Sequence, residues 1–420
     1  AQAPFSLAVL GIIAGLLAGS LVLLLRVTLE WCATLIYPQL QSNLITGVSA
    51  LPPWLFLLIP LIGGLIIGTL FQLLNKKHRQ VGLSHVVLYV HQHESRLPWQ
   101  NAIAQFVGSI GCFLSGQSVG REGPAVHLGV AINSLFGQWL RLPHNTLRIL
   151  AGCGTAAAIA ASFNTPIAGV IFAMEVVLVE YTIAGFTPVT LAAVAGTALV
   201  RIAYGDAPFL PLRELLAPGL WDLLFVLLLG IIISMASASF VSIQRYCLRF
   251  SSRPVWLRLT AAGAITGILA TIEPGVLGPG LFTMEELLSR SQFAATLAII
   301  ILTKLLATAV SVGLGMPGGL ISPTLYIGAG IGALAGYTIN ILEPELSGSI
   351  ALYALIGMAA MMGAVLNAPL AALMALMELT YSPNIIFPGM LAIAAANICH
   401  RDVFAQPAAI DASLEHEGIK

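Results

Sequence analysis

Charged residues are scarce in this sequence of 420 residues. Only 9% are Asp, Glu, Lys or Arg and 58% are hydrophobic, whereas ordinary soluble domains carry about 25% charged residues. So few charges cannot cover a surface that faces water, so we predict an all-α integral membrane protein that crosses the bilayer many times. The formal net charge is zero, which argues against nucleic acid as a partner because no general electrostatic attraction remains.

Cysteine is also rare, and several catalytic signatures are missing. The five cysteines form no CxxC pair, so we predict small core residues rather than disulfides or metal ligands. They are Cys32, Cys112, Cys153, Cys247 and Cys399. Because HExxH and Walker motifs are absent, we expect no enzyme activity, no ATP-driven transport and no cofactor. We predict that His85, His91 and His93, near a basic loop, are interfacial rather than catalytic or metal-binding.

Long apolar runs are what the sequence does contain, and several reach the roughly 20 residues that span a bilayer. The first run, residues 5–25, ends at Arg26 and has no cleavage-like site, so we predict a helix rather than a signal peptide. Residues 55–74, 220–239 and 293–314 are further runs of this kind. We predict a transmembrane helix for each of the four.

Other apolar runs stop early at Gly, Pro or Asn. These are residues 124–136, 147–162, 166–179 and 323–335, and all four look too short for a simple crossing. Broken helices persist in a membrane only where protein buries them or where they line a wet cavity. The pattern therefore indicates a transporter or channel core, although tilted or interfacial helices of a membrane scaffold would also fit.

The sequence repeats itself at a nearly constant spacing. The matched pairs are GL at 82–83 with GL at 280–281, GREGP at 120–124 with GLISP at 319–323, and FNTPIAGVIFAME at 163–175 with LNAPLAALMALME at 366–378. Chance seldom preserves Asn-x-Pro together with a Glu eleven residues after the Asn. We therefore predict two structural repeats, residues 1–210 and 211–400, followed by a short polar tail at 401–420. An odd number of crossings in each repeat would make them antiparallel.

The matched GREGP and GLISP blocks each place a glycine-rich loop before a helix. Pro124 and Pro323 suit a first helical turn, so free N–H groups and the positive end of each helix dipole point toward the loop. Two such starts facing one centre favour a bound anion, whereas a cation site would need several inward carboxylates or carbonyls. Close helix packing is the other explanation for the glycines.

Glu122 follows Arg121 at the start of the first of these helices. Its carboxylate is itself an anion, so it can occupy the anion site when charged and leave the site when protonated. The alternative is a structural salt bridge with Arg121. Because neighbouring residues on a helix do not face each other, we expect Arg121 to pair elsewhere, with Glu175 or Glu378.

These blocks resemble the CLC family of chloride channels and proton-coupled chloride transporters. The resemblance covers about residues 8–400 and is closest to the short bacterial members without regulatory domains. It implies a homodimer with one pore per subunit, antiparallel repeats and a multi-pass location in the inner (plasma) membrane of the cell. It also implies bound chloride ions, with chloride and protons as partners, and Glu122 as the gating and proton-accepting glutamate.

Several positions depart from the family pattern. In QVGLS, residues 80–84, Val81 replaces a serine that contacts the central anion in the family and Ser84 replaces a proline. Ile321 stands where the family has an aromatic residue, and Phe404 is the stand-in for its central tyrosine. The anion-binding residues that the resemblance implies are Val81, Gly82, Arg121, Gly123, Gly319, Leu320, Ile321 and Phe404. Anion contacts would then depend on backbone groups more than on hydroxyls.

Proton entry is the other departure. Many exchangers of the family have a glutamate directly after the position of Glu175, where this chain has Val176. Glu175 could relay protons itself, or it could be structural. Because Glu122 is retained, we predict chloride/proton exchange. The alternatives are a passive voltage- or pH-gated chloride channel and a variant selective for fluoride or nitrate, with a cation transporter as a further class.

Overall fold

The computed structural model describes residues 4–36, 52–205, 220–280, 294–342 and 350–418, and the regular elements in these ranges are helices. Those of the first half are α1 Pro4–Ile36, α2 Pro53–Leu73, α3 Leu83–Gln92, α4 Trp99–Leu114, α5 Glu122–Trp139, α6 His144–Phe163, α7 Pro166–Phe172 and α8 Ile183–Tyr204. Those of the second are α9 Leu220–Leu248, α10 Val255–Ile272, α11 Ala294–Gly313, α12 Ile321–Leu342, α13 Ile350–Leu366, α14 Pro369–Thr380, α15 Ile386–Ile398 and α16 Ala409–His416. Within the described ranges, nine helical segments are long and apolar enough to cross a membrane, which confirms the predicted class.

Several helices are longer than the sequence runs indicate. Helix α1 continues past Arg26 to Ile36, because its next turn contains the ion pair between Arg26 and Glu30. The runs at 147–162 and 323–335, predicted to be too short, lie within α6 and α12, which have 20 and 22 residues. Both helices extend beyond the apolar run into polar residues at one end, as at Thr338 of α12, whose hydroxyl donates to the Leu334 carbonyl oxygen. The short segment after Pro166 is confirmed: α7 continues only as a π turn, Ala173–Leu178.

Small residues set the closest helix crossings. A Cβ atom on Gly129 of α5 would lie 2.7 Å from the Gly154 carbonyl oxygen of α6. In the other half, a Cβ atom on Gly328 of α12 would collide with the Gly357 carbonyl oxygen of α13. Crossings this close are typical of membrane helices, where packing rather than the hydrophobic effect joins the helices. The glycines of the repeat blocks therefore serve packing as well as the site described below.

The last residues of the chain contain a packed helix where the sequence predicted only a polar tail. Helix α16 packs against α3 and α9, and its residues Ala409, Ile410 and Ala412 are buried. The Gln244 side-chain amide of α9 donates to the Ala409 carbonyl oxygen at 2.9 Å. The segment therefore joins elements from both halves of the molecule.

Candidate functional site

Two glycine-rich loops meet in the interior, one from each half. The Gly120 N–H donates to the Gly319 carbonyl oxygen and the Gly319 N–H donates to the Gly120 carbonyl oxygen, both at 2.6 Å. Helix α5 begins at Glu122 and α12 at Ile321, each two residues after its bridging glycine. The free N–H groups of two helix starts are thus brought to the same place, as the sequence predicted.

Glycine is required where the loops touch. A Cβ atom on Gly123 would lie 2.9 Å from the Gly319 Cα, and one on Gly319 would lie 2.6 Å from the Gly123 nitrogen. Both distances are well inside van der Waals contact with backbone atoms that cannot turn away. Gly123 and Gly319, both predicted as anion-binding residues, are therefore in direct contact with each other.

Glu122 lies at this junction and is fully buried. Its Oε2 accepts a hydrogen bond of 3.4 Å from the Ser322 backbone N–H, in the first turn of α12. Its Oε1 has no hydrogen-bond partner, and neither has the buried Ser322 hydroxyl. A carboxylate from the first half therefore occupies the helix start of the second half, which is where a negative charge is stabilised.

Arg121 does not pair with Glu175 or Glu378, contrary to the expectation from sequence. Its Nε lies 3.6 Å from the Glu122 Oε1. Arg121 is the N-cap of α5 rather than an interior residue, so its side chain can fold back toward its neighbour. The pair leaves the Arg121 Nε, like the Glu122 Oε1, without a hydrogen bond, so both charges are held ready for another partner.

Glu175 and Glu378 hold helix starts in the opposite half. The Glu175 carboxylate accepts from the N–H groups of Leu370 at 3.1 Å and Ala371 at 2.8 Å, at the start of α14. The Glu378 carboxylate accepts from the N–H groups of Ile167 at 2.9 Å and Ala168 at 2.7 Å, at the start of α7. Each half thus caps a helix of the other with a charged acceptor.

A cavity on one side of Glu122 carries positive charge. Arg26 and Arg121 line it together with Val22, Ser162 and Val200. The Arg26 Nε is held by the Glu30 Oε1 at 2.9 Å, and its guanidinium lies 3.6 Å from the centre of the Tyr204 ring. The Tyr204 hydroxyl in turn donates to Glu30 Oε2 at 2.7 Å. Two arginines therefore line a cavity beside the Arg121–Glu122 ion pair, and each of them is paired with a glutamate.

The other predicted anion contacts are distributed unevenly. Leu320 and Ile321 are buried at the start of α12, beside the glycine bridge. Gly82 is the N-cap of α3 with φ of 88°, a conformation that favours glycine, and its backbone faces open space. Val81 packs against an apolar cluster. Phe404 is 36% exposed, and its backbone N–H donates to Cys399, so none of its described hydrogen bonds connects it with Glu122.

Two features of this region, Ser322 and the pair formed by His85 and His127, were not predicted from the sequence. Ser322 could have been found, because it aligns with Gly123 in the matched blocks. The prediction that His85 is interfacial was wrong: it is 3% exposed, and its Nδ1 lies 2.9 Å from the Nε2 of fully buried His127. Only His91 and His93 of that group are exposed. A buried histidine pair has no local signal, because its members are 42 residues apart.

The fold and the site together define a multi-pass membrane protein in which paired helix starts enclose a buried acidic side chain. The family model described as voltage gated chloride channel matches residues 63–401. A ClcB-like chloride channel protein of Ralstonia nicotianae is 32% identical over 361 residues, which are 84% of each chain. The voltage-gated ClC-type chloride channel ClcB of Escherichia coli is 27% identical over 89% of this chain and 91% of its own.

Solved structures show the same fold. A slow cyanobacterial Cl⁻/H⁺ antiporter superposes with a TM-score of 0.86 at 22% identity, covering 98% of this chain and 97% of its own. A CLC-type fluoride/proton antiporter gives 0.77 at 24% identity, covering 94% and 95%. The chain belongs to the voltage-gated chloride channel (CLC) family, whose members transport anions and are not enzymes.

Proposed function

We propose that this protein exchanges chloride for protons and that Glu122 couples the two. The observation that carries the proposal is the position of the Glu122 carboxylate at the Ser322 N–H, fully buried at the start of α12. A chloride ion and a carboxylate would compete for this position, because both are stabilised by the same N–H groups and helix dipole.

Exchange follows from that competition. While Glu122 is charged, its carboxylate holds the position and excludes the ion. When Glu122 gains a proton it becomes neutral, loses most of its attraction to the helix start and can swing away, and chloride takes its place. The return of the carboxylate expels the ion and releases the proton, so the two species move in opposite directions through one side chain.

Arg121 and Arg26 would assist the anion. Both line the cavity beside Glu122, and a cleft lined by one sign of charge raises the local concentration of ions of the opposite sign. The Arg121 Nε lies 3.6 Å from the Glu122 Oε1, so it becomes available to an entering chloride when Glu122 moves away. Glu175 is committed to backbone N–H groups, which favours its structural role over proton relay.

A passive chloride channel is the second candidate. The relatives from Ralstonia nicotianae and Escherichia coli are described as chloride channels, whereas the solved structures include Cl⁻/H⁺ and fluoride/proton antiporters. Anion preference is a separate question. Val81 and Ile321 supply no hydroxyl, so selection among chloride, fluoride and nitrate would depend on backbone N–H groups at Gly82 and Leu320, since the Gly319 N–H already donates to the Gly120 carbonyl oxygen.

The test measures anion efflux and proton uptake together. Proteoliposomes are loaded with potassium chloride and diluted into potassium isethionate, with Glu122→Gln as the matched variant. We expect chloride efflux to drive protons inward against their gradient, and we expect the variant to abolish proton uptake. Chloride efflux without proton movement in the wild-type protein would establish the channel instead. Efflux and proton uptake unchanged in the variant would remove Glu122 from the mechanism.

We further propose a homodimer in the inner (plasma) membrane of the cell, as the family resemblance implies. Single-molecule counting of labelled protein in liposomes, diluted to one reconstituted particle per vesicle, checks the stoichiometry. We expect two bleaching steps per particle at low protein density. A single step at every density would rule out the dimer.

A further inference from the structure

The proposed exchange requires routes to Glu122 from both faces of the membrane. Helix α2 is long enough to cross the membrane, so the turn Lys76–His78, which follows its last residues, lies at one face, here called the second face. Helix α4 starts beside that turn, because the Asn101 side chain donates to the Lys77 carbonyl oxygen. Helix α5 runs from Glu122 back toward the start of α4, because the Ser134 hydroxyl donates to the Ser95 carbonyl oxygen. The cavity lined by Arg121 lies at the other end of α5, where Glu122 is. Exchange also requires a proton route from the second face.

A chain of hydrogen-bonded side chains starts at that second face. The His78 Nδ1 lies 3.1 Å from the Asn101 Oδ1, and the Asn101 Nδ2 lies 3.3 Å from the His85 Nε2. The His85 Nδ1 lies 2.9 Å from the His127 Nε2. The chain therefore leads from a partly exposed turn to a fully buried ring, and that ring belongs to α5, the helix that starts with Glu122.

Hydrogen bonding decides which nitrogens carry protons. The Asn101 amide nitrogen can only donate, and the carbonyl oxygens of Lys77 and Gln80 accept its two hydrogens at 3.0 and 2.8 Å, so its contact of 3.3 Å with the His85 Nε2 is at most a shared hydrogen bond. A proton on the His85 Nε2 would face this donor group. The His85 Nε2 beside it is therefore unprotonated, and the proton of neutral His85 is on Nδ1, where it is donated to the His127 Nε2. Neutral His127 must then carry its proton on Nδ1.

That last proton has no acceptor. The His127 Nδ1 is buried and has no hydrogen-bond partner, and His127 is fully buried. A buried donor without a partner among the described residues destabilises the folded state, so a purely structural histidine here would be a poor choice. Buried polar groups left without partners in native structures call for a functional explanation.

The surroundings of the pair contain few other charges. On α3, Tyr89 stacks on His85 with ring centres 4.5 Å apart, and His93 is close enough to act on the charge of His85. From α16, Glu417 interacts with Gln80 at the outer end of the chain. Val176, one residue after Glu175, is buried and apolar, so its side chain offers no proton site. The histidine pair therefore supplies two titratable side chains between the second face and Glu122.

We infer that His85 and His127 relay protons between the second face and Glu122, an inference that rests on the proposed exchange. His127 follows Glu122 by five residues on α5, about 7.5 Å along the helix axis, a gap that one or two waters bridge when Glu122 swings away from Ser322. Asn101 is a positioning residue, because it fixes the His85 tautomer and carries no proton itself.

The transfer balances without any other reactant. A proton binds the free His85 Nε2, and the cationic ring passes its Nδ1 proton to the His127 Nε2. His127 then releases its own Nδ1 proton to the carboxylate of Glu122 through the intervening water. One proton enters and one leaves, no electron moves, and both rings end neutral as the other tautomer. Transfer in reverse, or rotation of the rings, restores the starting state.

The test compares proton and chloride fluxes in proteoliposomes. His127→Gln and His85→Gln keep hydrogen-bonding side chains but cannot carry a proton at neutral pH. His91→Gln is the matched control, because His91 lies exposed on the same helix and its Nε2 bonds to the Val177 carbonyl. We expect proton uptake per chloride to fall at least about ten-fold in both test variants, with chloride flux within about two-fold of the wild type and the control unchanged.

The outcomes separate this inference from the proposed function. If the wild-type protein exchanges protons and both test variants do so with the same ratio, the relay is wrong while the exchange stands. If the wild-type protein moves chloride without protons, the exchange is wrong and the relay falls with it. Asn101→Leu is a further variant that keeps both rings. Its proton uptake should fall and shift in pH dependence, whereas an unaltered ratio and pH profile would contradict the positioning role.

Discussion

The two halves of this protein share several local features around the glycine bridge but have different side chains there. Both contribute a bridging glycine, a helix that starts two residues later, a glycine crossing behind that helix, and a glutamate that caps a helix of the other half. At the helix starts, however, the first half has Arg121 and Glu122, and the second has Leu320 and Ile321.

The difference continues along the helices. His127 of α5 binds His85, whereas the matching residue of α12 is Tyr326, whose ring lies 5.9 Å from the Lys304 Nζ. Buried Lys304 donates to the carbonyl oxygens of Val276 and Gly278 at 2.7 and 2.6 Å. The comparison indicates a division of labour. Under the proposed exchange, the backbone features that both halves share would supply N–H groups for an anion, and the side chains of the first half would carry the proton.

We expect the largest effect, a loss of folded protein, from a substitution that prevents the two loops of the glycine bridge from touching. In Gly319→Ala the new Cβ would lie 2.6 Å from the Gly123 nitrogen, so the loops cannot keep their contact. In Gly120→Ala it would lie 2.7 Å from the Glu122 Oε2, a side-chain atom that can move. We expect Gly319→Ala to lose most folded protein, measured by monodisperse yield, and Gly120→Ala to fold with altered anion flux. Equal yields would show that the two glycines are interchangeable.

The second prediction removes the difference at the helix starts. Ile321→Glu would put a second carboxylate beside the bridge, where Ile321 is 1% exposed. With a negative charge at both helix starts, we expect chloride flux to fall at least about ten-fold at neutral pH and to recover as the pH is lowered, because protonation removes the added charge. Liposome efflux across a pH series measures it, with Ile321→Leu as control. Unchanged flux would place Ile321 outside the anion path.

The third prediction tests whether the two caps are equivalent. Glu175→Ala and Glu378→Ala each leave two N–H groups at a helix start without a charged acceptor. We expect each to lower the free energy of unfolding by about 2 kcal/mol, seen as similar losses of thermal stability. Proton uptake per chloride should remain unchanged in both. A loss of proton uptake in Glu175→Ala alone would make that residue a relay and break the equivalence.

The smallest effect concerns α16, which contacts both halves. Partial burial, and then Glu415, raises the pKa of Asp411 above its ordinary value. The folded state therefore favours the protonated form, and the stability contributed by this residue falls as the pH rises above about 4. Asp411→Asn should raise thermal stability slightly at pH 7 and change it little under more acidic conditions. Lower stability at pH 7 would contradict the direction of this shift.

The sequence predicted the site where the pattern was local or repeated. The GREGP and GLISP blocks identified both helix starts and predicted that the two starts face one centre, whereas the direct contact between Gly123 and Gly319 was not predicted. Prediction failed where contacts depend on distant segments. Nothing in the spacing of Glu175 and Glu378 indicates that each caps a helix start in the opposite half. Arg121 was expected to bind one of them because adjacent residues on a helix do not face each other. Helix lengths were underestimated because polar residues at the end of an apolar run resemble helix ends in a sequence.

Six hydrogen bonds described above join the two halves. Two are the hydrogen bonds of the glycine bridge, and four run from backbone N–H groups to the carboxylates of Glu175 and Glu378. A rocking motion of one half against the other would have to break all of these inside the membrane, where no water replaces them. Under the proposed exchange, access would therefore alternate by short side-chain movements within a stationary frame, and turnover should respond weakly to bilayer thickness and tension.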